Sequence, residues 1–363
     1  MNQTKHQFKI LSIDGGGIKG IIPCTILRYL EEKTRNNISS MFNLIAGTST
    51  GGIIALGLTK PKEEFNINAY TAKEMLSLYL DHGKDIFSGR HKDWLSRLGS
   101  ITKPTGELTQ GVYNIDKFEK LLSEKFGTAR LQDSLTNVLV TTYSLEKEKP
   151  FYFSSRLAQS NENENYELST IARSTSAAPT YFAPSLIDYD KDKNLAMVDG
   201  GVFANNPAIL AYSEAKELWK GEIYAGEADA TKKGFDPHVR PDNNDLPFFM
   251  LSISCGHAPT KINFSESSEW RTAQWIQPLL SNIFTQSVAE STHYTMQYLM
   301  PPYEDKTERY IRLDEMDLSK ANSEMDDASP ENIRALQAIG DSYVAENKEK
   351  LDEICEILTS NHA

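Results

Sequence analysis

Cysteine is scarce in this 363-residue chain: Cys24, Cys255 and Cys355 are too few and too scattered for a disulfide framework or a metal-ligand spacing. Free thiols in a reducing compartment are expected. Basic residues are also in deficit, with 38 Lys and Arg against 50 Asp and Glu, a formal charge of −12. Such a balance argues against binding nucleic-acid polymers, which begins with phosphate neutralisation. It also gives no long-range pull toward anionic lipid. No run of 18 apolar residues occurs, so no transmembrane helix is expected. Met1–Lys9 lacks the apolar core of a signal peptide. A cytoplasmic protein, at most peripheral at a membrane, is expected. No cluster of ligand-type residues calls for a metal, and no cofactor is expected.

What is present is enough apolar material for a core, 39% of residues. Phe8–Ile13 reads as a buried strand, Ile21–Thr34 as a helix, Phe42–Ala46 as a strand and Ile53–Leu58 as a helix. Strand, helix, strand, helix at this spacing is the βαβ signature of a parallel sheet covered on both faces. Further helices are predicted at Asn68–Leu80, Asp116–Phe126, Leu168–Ser174, Pro207–Trp219 and Ile276–Met300, with a long amphipathic one at Ile333–Leu358. Strands are predicted at Asn137–Leu145, Phe151–Phe153, Met197–Val198, Phe248–Ser254 and Arg309–Leu313. Residues 220–245 are polar and read as an exposed loop. No repeat or linker forces a second domain, so residues 1–363 are expected to form one.

The run Asp14-Gly-Gly-Gly-Ile-Lys-Gly20 closes a strand and opens a helix. Gly15, Gly17 and Gly20 satisfy the spacing of a dinucleotide-binding turn, which would make the chain a nucleotide-binding oxidoreductase. That reading wants an acidic residue closing the second strand, and Gly47-Thr-Ser-Thr-Gly51 stands there instead. Successive glycines can equally turn backbone N–H groups into a cavity at a helix N-terminus, where an oxyanion is held. Lys19 would add positive charge nearby.

Gly47-Thr48-Ser49-Thr50-Gly51 matches G-x-S-x-G between a strand and a helix, the setting of a nucleophile elbow. A serine hydroxyl needs a base within hydrogen-bond reach. Of the seven histidines, His257 is the best placed for a triad, but none sits in a strong motif. Asp199-Gly200-Gly201 closes another short strand and offers a carboxylate instead, with a plain Asp-Gly-Gly turn as the alternative. Ser88–Arg97 mixes basic and aromatic residues and reads as a lid, a membrane-docking patch, part of a site for an anionic activator, or a solvated loop.

Taken in order, Asp14–Gly20, Gly47–Gly51, Ala172-Arg-Ser-Thr-Ser-Ala-Ala-Pro-Thr-Tyr-Phe182 and Asp199–Gly201 resemble the motifs of patatin-like phospholipases, over roughly residues 8–210. Residues 211–363 would then complete the same domain. The resemblance implies an α/β, three-layer α/β/α fold with a mainly parallel central sheet. It implies a Ser49–Asp199 dyad without histidine, and an oxyanion hole from the amides of Gly15, Gly16 and Gly17. Lys19, Gly47, Gly51 and Gly200 would support it. The implied substrate is a phospholipid or other acyl lipid at a membrane surface, cleaved through an acyl-enzyme. Leu251-Ser-Ile-Ser-Cys-Gly256 departs from the family's usual L-S-L-G-T-G, which puts the neighbouring pocket's shape in question. The C-terminal half resembles bacterial members, some of them cyclic-nucleotide-activated effectors of anti-phage defence. That narrower likeness adds a cyclic-nucleotide activator to the expected partners, and a homodimer is compatible with it.

Overall fold

The structure, a computed structural model, describes residues 8–62, 65–86, 115–190, 193–226, 246–257, 262–271, 274–275 and 283–360. The stretch 88–97 and most of 220–245 lie outside them, as do His6, His91, His238 and His362.

The strands are β1 (Phe8–Ile13), β2 (Leu44–Thr48), β3 (Pro61–Lys62), β4 (Phe65–Asn68), β5 (Asn137–Ser144), β6 (Lys149–Ser154), β7 (Ser185–Asp190), β8 (Lys193–Asp199), β9 (Phe248–Ile253) and β10 (Tyr310–Leu313). Strands β3 and β4 form a separate antiparallel pair. The central sheet runs β10-β9-β1-β2-β5-β8-β7 with β6 on β5. Its first five strands are parallel, and β6, β8 and β7 complete it with antiparallel pairings. The longer helices are α1 (Ile21–Thr34), α2 (Thr50–Thr59), α3 (Ala72–Ile86), α4 (Ile115–Phe126), α5 (Leu168–Thr175), α6 (Ala208–Gly226), α7 (Phe284–Leu299), α8 (Pro330–Glu346) and α9 (Lys348–Thr359).

Side-chain alternation along the strands builds three layers. Phe8 and Ile10 of β1, Leu139 of β5, and Phe248 and Met250 of β9 pack against Ala208, Ala211 and Tyr212 of α6 and Met296 of α7. Their neighbours Leu11, Ile13, Val138, Val140, Phe249 and Leu251 join the opposite core with α1–α5, α8 and α9. Two cores on two faces of one sheet make the α/β/α sandwich the motifs implied. Lys9 sits buried in β1 because its ammonium donates to Leu358 O at 2.8 Å and Ser360 O at 3.3 Å, holding the carbonyl end of α9.

Several boundaries differ from the sequence reading. Met197–Val198 proves to be the buried end of a hairpin, β7–β8; its start, Lys193-Asn194, is polar and exposed and carries no apolar signal. Helix α6 continues to Gly226, past residue 220 where a polar loop was expected, without a proline to stop it. Ile333–Leu358 is two helices that meet at Asn347, whose φ of −108° and ψ of 24° leave the helical range. The apolar periodicity crosses that break because Leu336, Tyr343, Leu351, Ile354 and Leu358 all enter one core.

Candidate active site

The register of β5 brings two distant strand ends together. Residues Asn137–Thr141 pair with β2, and Thr142–Ser144 pair with β8, while β6 takes the opposite edge. Strands β2 and β8 therefore meet nose to nose along one edge of β5. Thr48, paired with Thr141, ends β2; Asp199, paired with Thr142, ends β8. The next residue after Thr48 is Ser49.

Ser49 sits at φ 56° and ψ −122°, a strained conformation for a residue with a Cβ. The turn is tight enough to need glycine on both sides. A Cβ at Gly47 would lie 2.2 Å from Gly51 O, and one at Gly51 would lie 2.2 Å from Ile13 O. The Ser49 N–H donates to Thr175 Oγ1 at 2.8 Å, and that hydroxyl donates to Thr141 O at 2.7 Å. Thr48 Oγ1 donates to Ala204 O at 2.6 Å and lies 2.7 Å from Thr141 Oγ1. The elbow is tied from below to β5, the strand that Asp199 of β8 also pairs with.

Asp199 is buried, 5% exposed. Its carboxylate lines the same cavities as Ser49, whose hydroxyl favours the charged form, and accepts the Gly201 N–H at 2.7 Å. Burial penalises the charged form more than the Ser49 hydroxyl and the Gly201 N–H favour it, so its pKa is pushed up to about 6. Such a carboxylate is a stronger base than an exposed aspartate, yet it is mostly ionised at neutral pH.

The glycine loop lies alongside. Gly17 has φ 61°, and a Cβ there would fall 2.1 Å from Met325 O. The three expected oxyanion donors are not equivalent. The Gly15 N–H donates to Asn205 O at 3.0 Å, which occupies it. For the Gly16 and Gly17 amides no acceptor is recorded among the described residues. Gly16 lines a cavity of about 230 Å³ shared with Ser49, Asp199, Pro179, Tyr181, Val202 and Phe284. Behind Ser49 a second, smaller cavity of about 50 Å³ is walled by Ile53, Tyr79, Ile86, Phe118 and Phe182, and Gly17 lines it too. Apolar walls around a serine and a carboxylate suit an acyl chain.

Asp14, which opens the loop, is buried and paired with Arg312 of β10 in a two-pronged contact, Nη2–Oδ2 2.6 Å and Nη1–Oδ1 3.1 Å. Arg312 also donates to Ser252 Oγ at 2.8 Å and to Asp314 Oδ2 at 3.3 Å. Lys19 lines a neighbouring polar cavity with Asp14, Arg312 and His257 and does not line the cavities of Ser49. Burial holds its ammonium pKa below the ordinary value. His257 is exposed, with Nδ1 3.1 Å from Asp314 O, and lines neither Ser49 cavity. Gly200 follows Asp199 and packs against Thr141. Cys255, where the family's threonine was expected, lies buried against Gly16, its thiol 3.4 Å from Asp14 O.

Sequence reasoning missed Thr175, Asn205 and Arg312 as parts of this frame. Thr175 falls inside the quoted run Ala172–Phe182, so its place was visible although its bond was not.

Fold and site together define a class: a mainly parallel α/β/α sheet that presents a serine on a strained strand-to-helix turn, in a cavity shared with a buried carboxylate. The family follows from comparison. Residues 11–212 match the model of the patatin-like phospholipases. Patatin-like protein 2 of Oryza sativa subsp. indica is 32% identical over 361 residues, covering 94% of this chain and 85% of that protein. Patatin-T5 of Solanum tuberosum is 31% identical over 364 residues, covering 94% and 84%. The chain belongs to the patatin-like phospholipase family, and lipid acyl hydrolysis is the general activity that membership carries. Similarity of this degree also extends to a Solanum tuberosum protein named "Probable inactive patatin-3-Kuras 1", 31% identical over 353 residues, 92% of this chain and 86% of that protein. The finer assignment therefore rests on the site's own geometry. Among the described residues no helix is long and apolar enough to cross a membrane.

Proposed function

We propose that this chain hydrolyses carboxylic esters of membrane lipids with Ser49 as nucleophile and Asp199 as base. The observation that carries the reading is that Ser49, on its strained turn, and a buried Asp199 whose pKa is raised to about 6 line the same cavities. Ser49 Oγ attacks the ester carbonyl while Asp199 takes its proton. Negative charge on the carbonyl oxygen falls to the Gly16 and Gly17 amides, each such donor being worth about 3 kcal/mol of barrier. The tetrahedral centre collapses, the ester C–O bond breaks, and Asp199 returns the proton to the leaving alcohol. Water, giving its proton to Asp199, then attacks the acyl-enzyme; the acyl–Oγ bond breaks, Asp199 returns the proton to Ser49 Oγ, and the fatty acid is freed.

The test is turnover of a short-chain chromogenic ester by the wild-type chain and by Ser49→Ala. The serine variant should fold normally and lose activity to background, and it should not react with a fluorophosphonate probe. In the wild type, kcat/KM should fall about tenfold per pH unit below about pH 6, as Asp199 becomes protonated. Retained turnover in Ser49→Ala, or a severe loss in His257→Ala with a mild one in Asp199→Asn, overturns the assignment.

A further inference from the structure

Helix α7 combines a low charge with exposed aromatic rings. In a sequence with 24% charged residues, its 16 positions carry one Asp, Glu, Lys or Arg, Glu290. Glu290 lines the polar cavity around Asp14 and Arg312. At 100° per residue, Phe284, Ser287, Ser291, Tyr294 and Tyr298 share a stripe of the helix that the exposed Glu290 borders, about 40° from Tyr294. The five stripe residues are exposed and uncharged, and the rings stand well out: Phe284 is 48% exposed, Tyr294 62% and Tyr298 72%. The two tyrosine rings pack 5.0 Å apart with their hydroxyls 3.3 Å from each other. From Phe284 to Tyr298 the ridge runs about 21 Å along the helix axis.

Its near end is at the reactive cavity. Phe284 and Val202, itself 41% exposed, both line the cavity that holds Ser49 and Asp199. An aromatic ridge that water solvates poorly thus continues, without a charge, into the mouth of an apolar pocket. Tyrosine pairs an apolar ring with a polar hydroxyl, the combination that settles at the level of lipid headgroups.

We infer that the Phe284–Tyr298 ridge is the surface by which this protein docks on a zwitterionic lipid bilayer, with the cavity mouth against the membrane. The inference rests on the lipid-ester reading for the reason a lipid must reach Ser49. A formal charge of −12 disfavours an anionic membrane, so the contact is made by rings rather than by lysines. Docking here lets an acyl chain pass from the bilayer into the pocket along apolar surface.

Flotation with phosphatidylcholine vesicles tests this, using Ser49→Ala so that the lipid survives the measurement. The chain should float with the vesicles. Adding Tyr294→Ser with Tyr298→Ser should weaken vesicle binding by about tenfold or more, while Tyr294→Phe with Tyr298→Phe should keep most of it. With Ser49 present, the double serine variant should turn over a short soluble ester like the wild type, and its melting curve should match. No binding to phosphatidylcholine, or equal binding by the serine variant, overturns the inference. So does a serine variant that dissociates a dimer in light scattering with vesicle affinity unchanged, which would make the ridge a contact between copies. Flotation of Ser49→Ala needs no turnover, so its result stands apart from that of the esterase assay.

Discussion

Replacing Asp199 by Asn should kill the enzyme and stabilise the protein, and the two effects have one cause. The folded chain raises the Asp199 pKa from the ordinary 3.8 to about 6, chiefly by burial. Below pH 3.8 both folded and unfolded chains hold the proton, and the site costs nothing. Between pH 4 and 6 the unfolded chain releases it first, so stability falls as pH rises through that window, and above about pH 6 the cost is complete. The gap of about 2.2 pH units corresponds to about 3 kcal/mol, at about 1.4 kcal/mol per unit. Asparagine has no charge to bury, and its amide oxygen still accepts the Gly201 N–H that Asp199 takes at 2.7 Å. In urea unfolding at pH 8, Asp199→Asn should therefore be more stable than the wild type by about 3 kcal/mol, or about 4 °C in Tm for a chain of this size. At pH 5 roughly half of that advantage should be gone. Equal stability at pH 8, or an advantage that does not shrink on acidification, would refute the claim that burial sets the basicity of this carboxylate.

Other perturbations probe the frame around the site. Arg312→Met leaves Asp14 buried without its partner and should cost about 3–5 kcal/mol in urea unfolding, with kcat falling as the glycine loop loosens. Gly17→Ala forces a Cβ against Met325 O and should lower kcat about a hundredfold in the ester assay. Thr175→Val removes the acceptor of the Ser49 N–H and the donor to Thr141 O, costing about 2 kcal/mol, whereas Thr175→Ser should restore both stability and kcat. Wild-type kcat in Thr175→Val would show that the elbow holds its shape without that hydroxyl.

The sequence was most legible where one short segment contains the whole physical reason. The buried run Phe8–Ile13, the helix Ile21–Thr34 and the glycines around Ser49 are of this kind, because periodicity and small residues act locally. It was least legible where one element depends on another. The strand Lys193–Asp199 starts with exposed polar residues and is a strand because β7 and β5 pair with it. The break at Asn347 hides beneath an apolar pattern that both helices share. Which loop amide is occupied depends on Asn205, 190 positions from Gly15, and no motif carries that information.

The same dependence explains how a serine and an aspartate 150 positions apart come to line one cavity. Neither turn finds the other by itself. Strand β5 selects both, since Thr141 is the last residue that β2 pairs with and Thr142 the first that β8 pairs with. Slipping β8 by one residue would turn Asp199 to the other face of the sheet, because side chains alternate along a strand. Thr142 Oγ1 donates to Val198 O at 2.7 Å and Thr48 Oγ1 lies 2.7 Å from Thr141 Oγ1, so threonine hydroxyls link both strand ends to β5. The precision a two-residue site needs is then a matter of sheet register, which a buried sheet core sets more rigidly than any loop can.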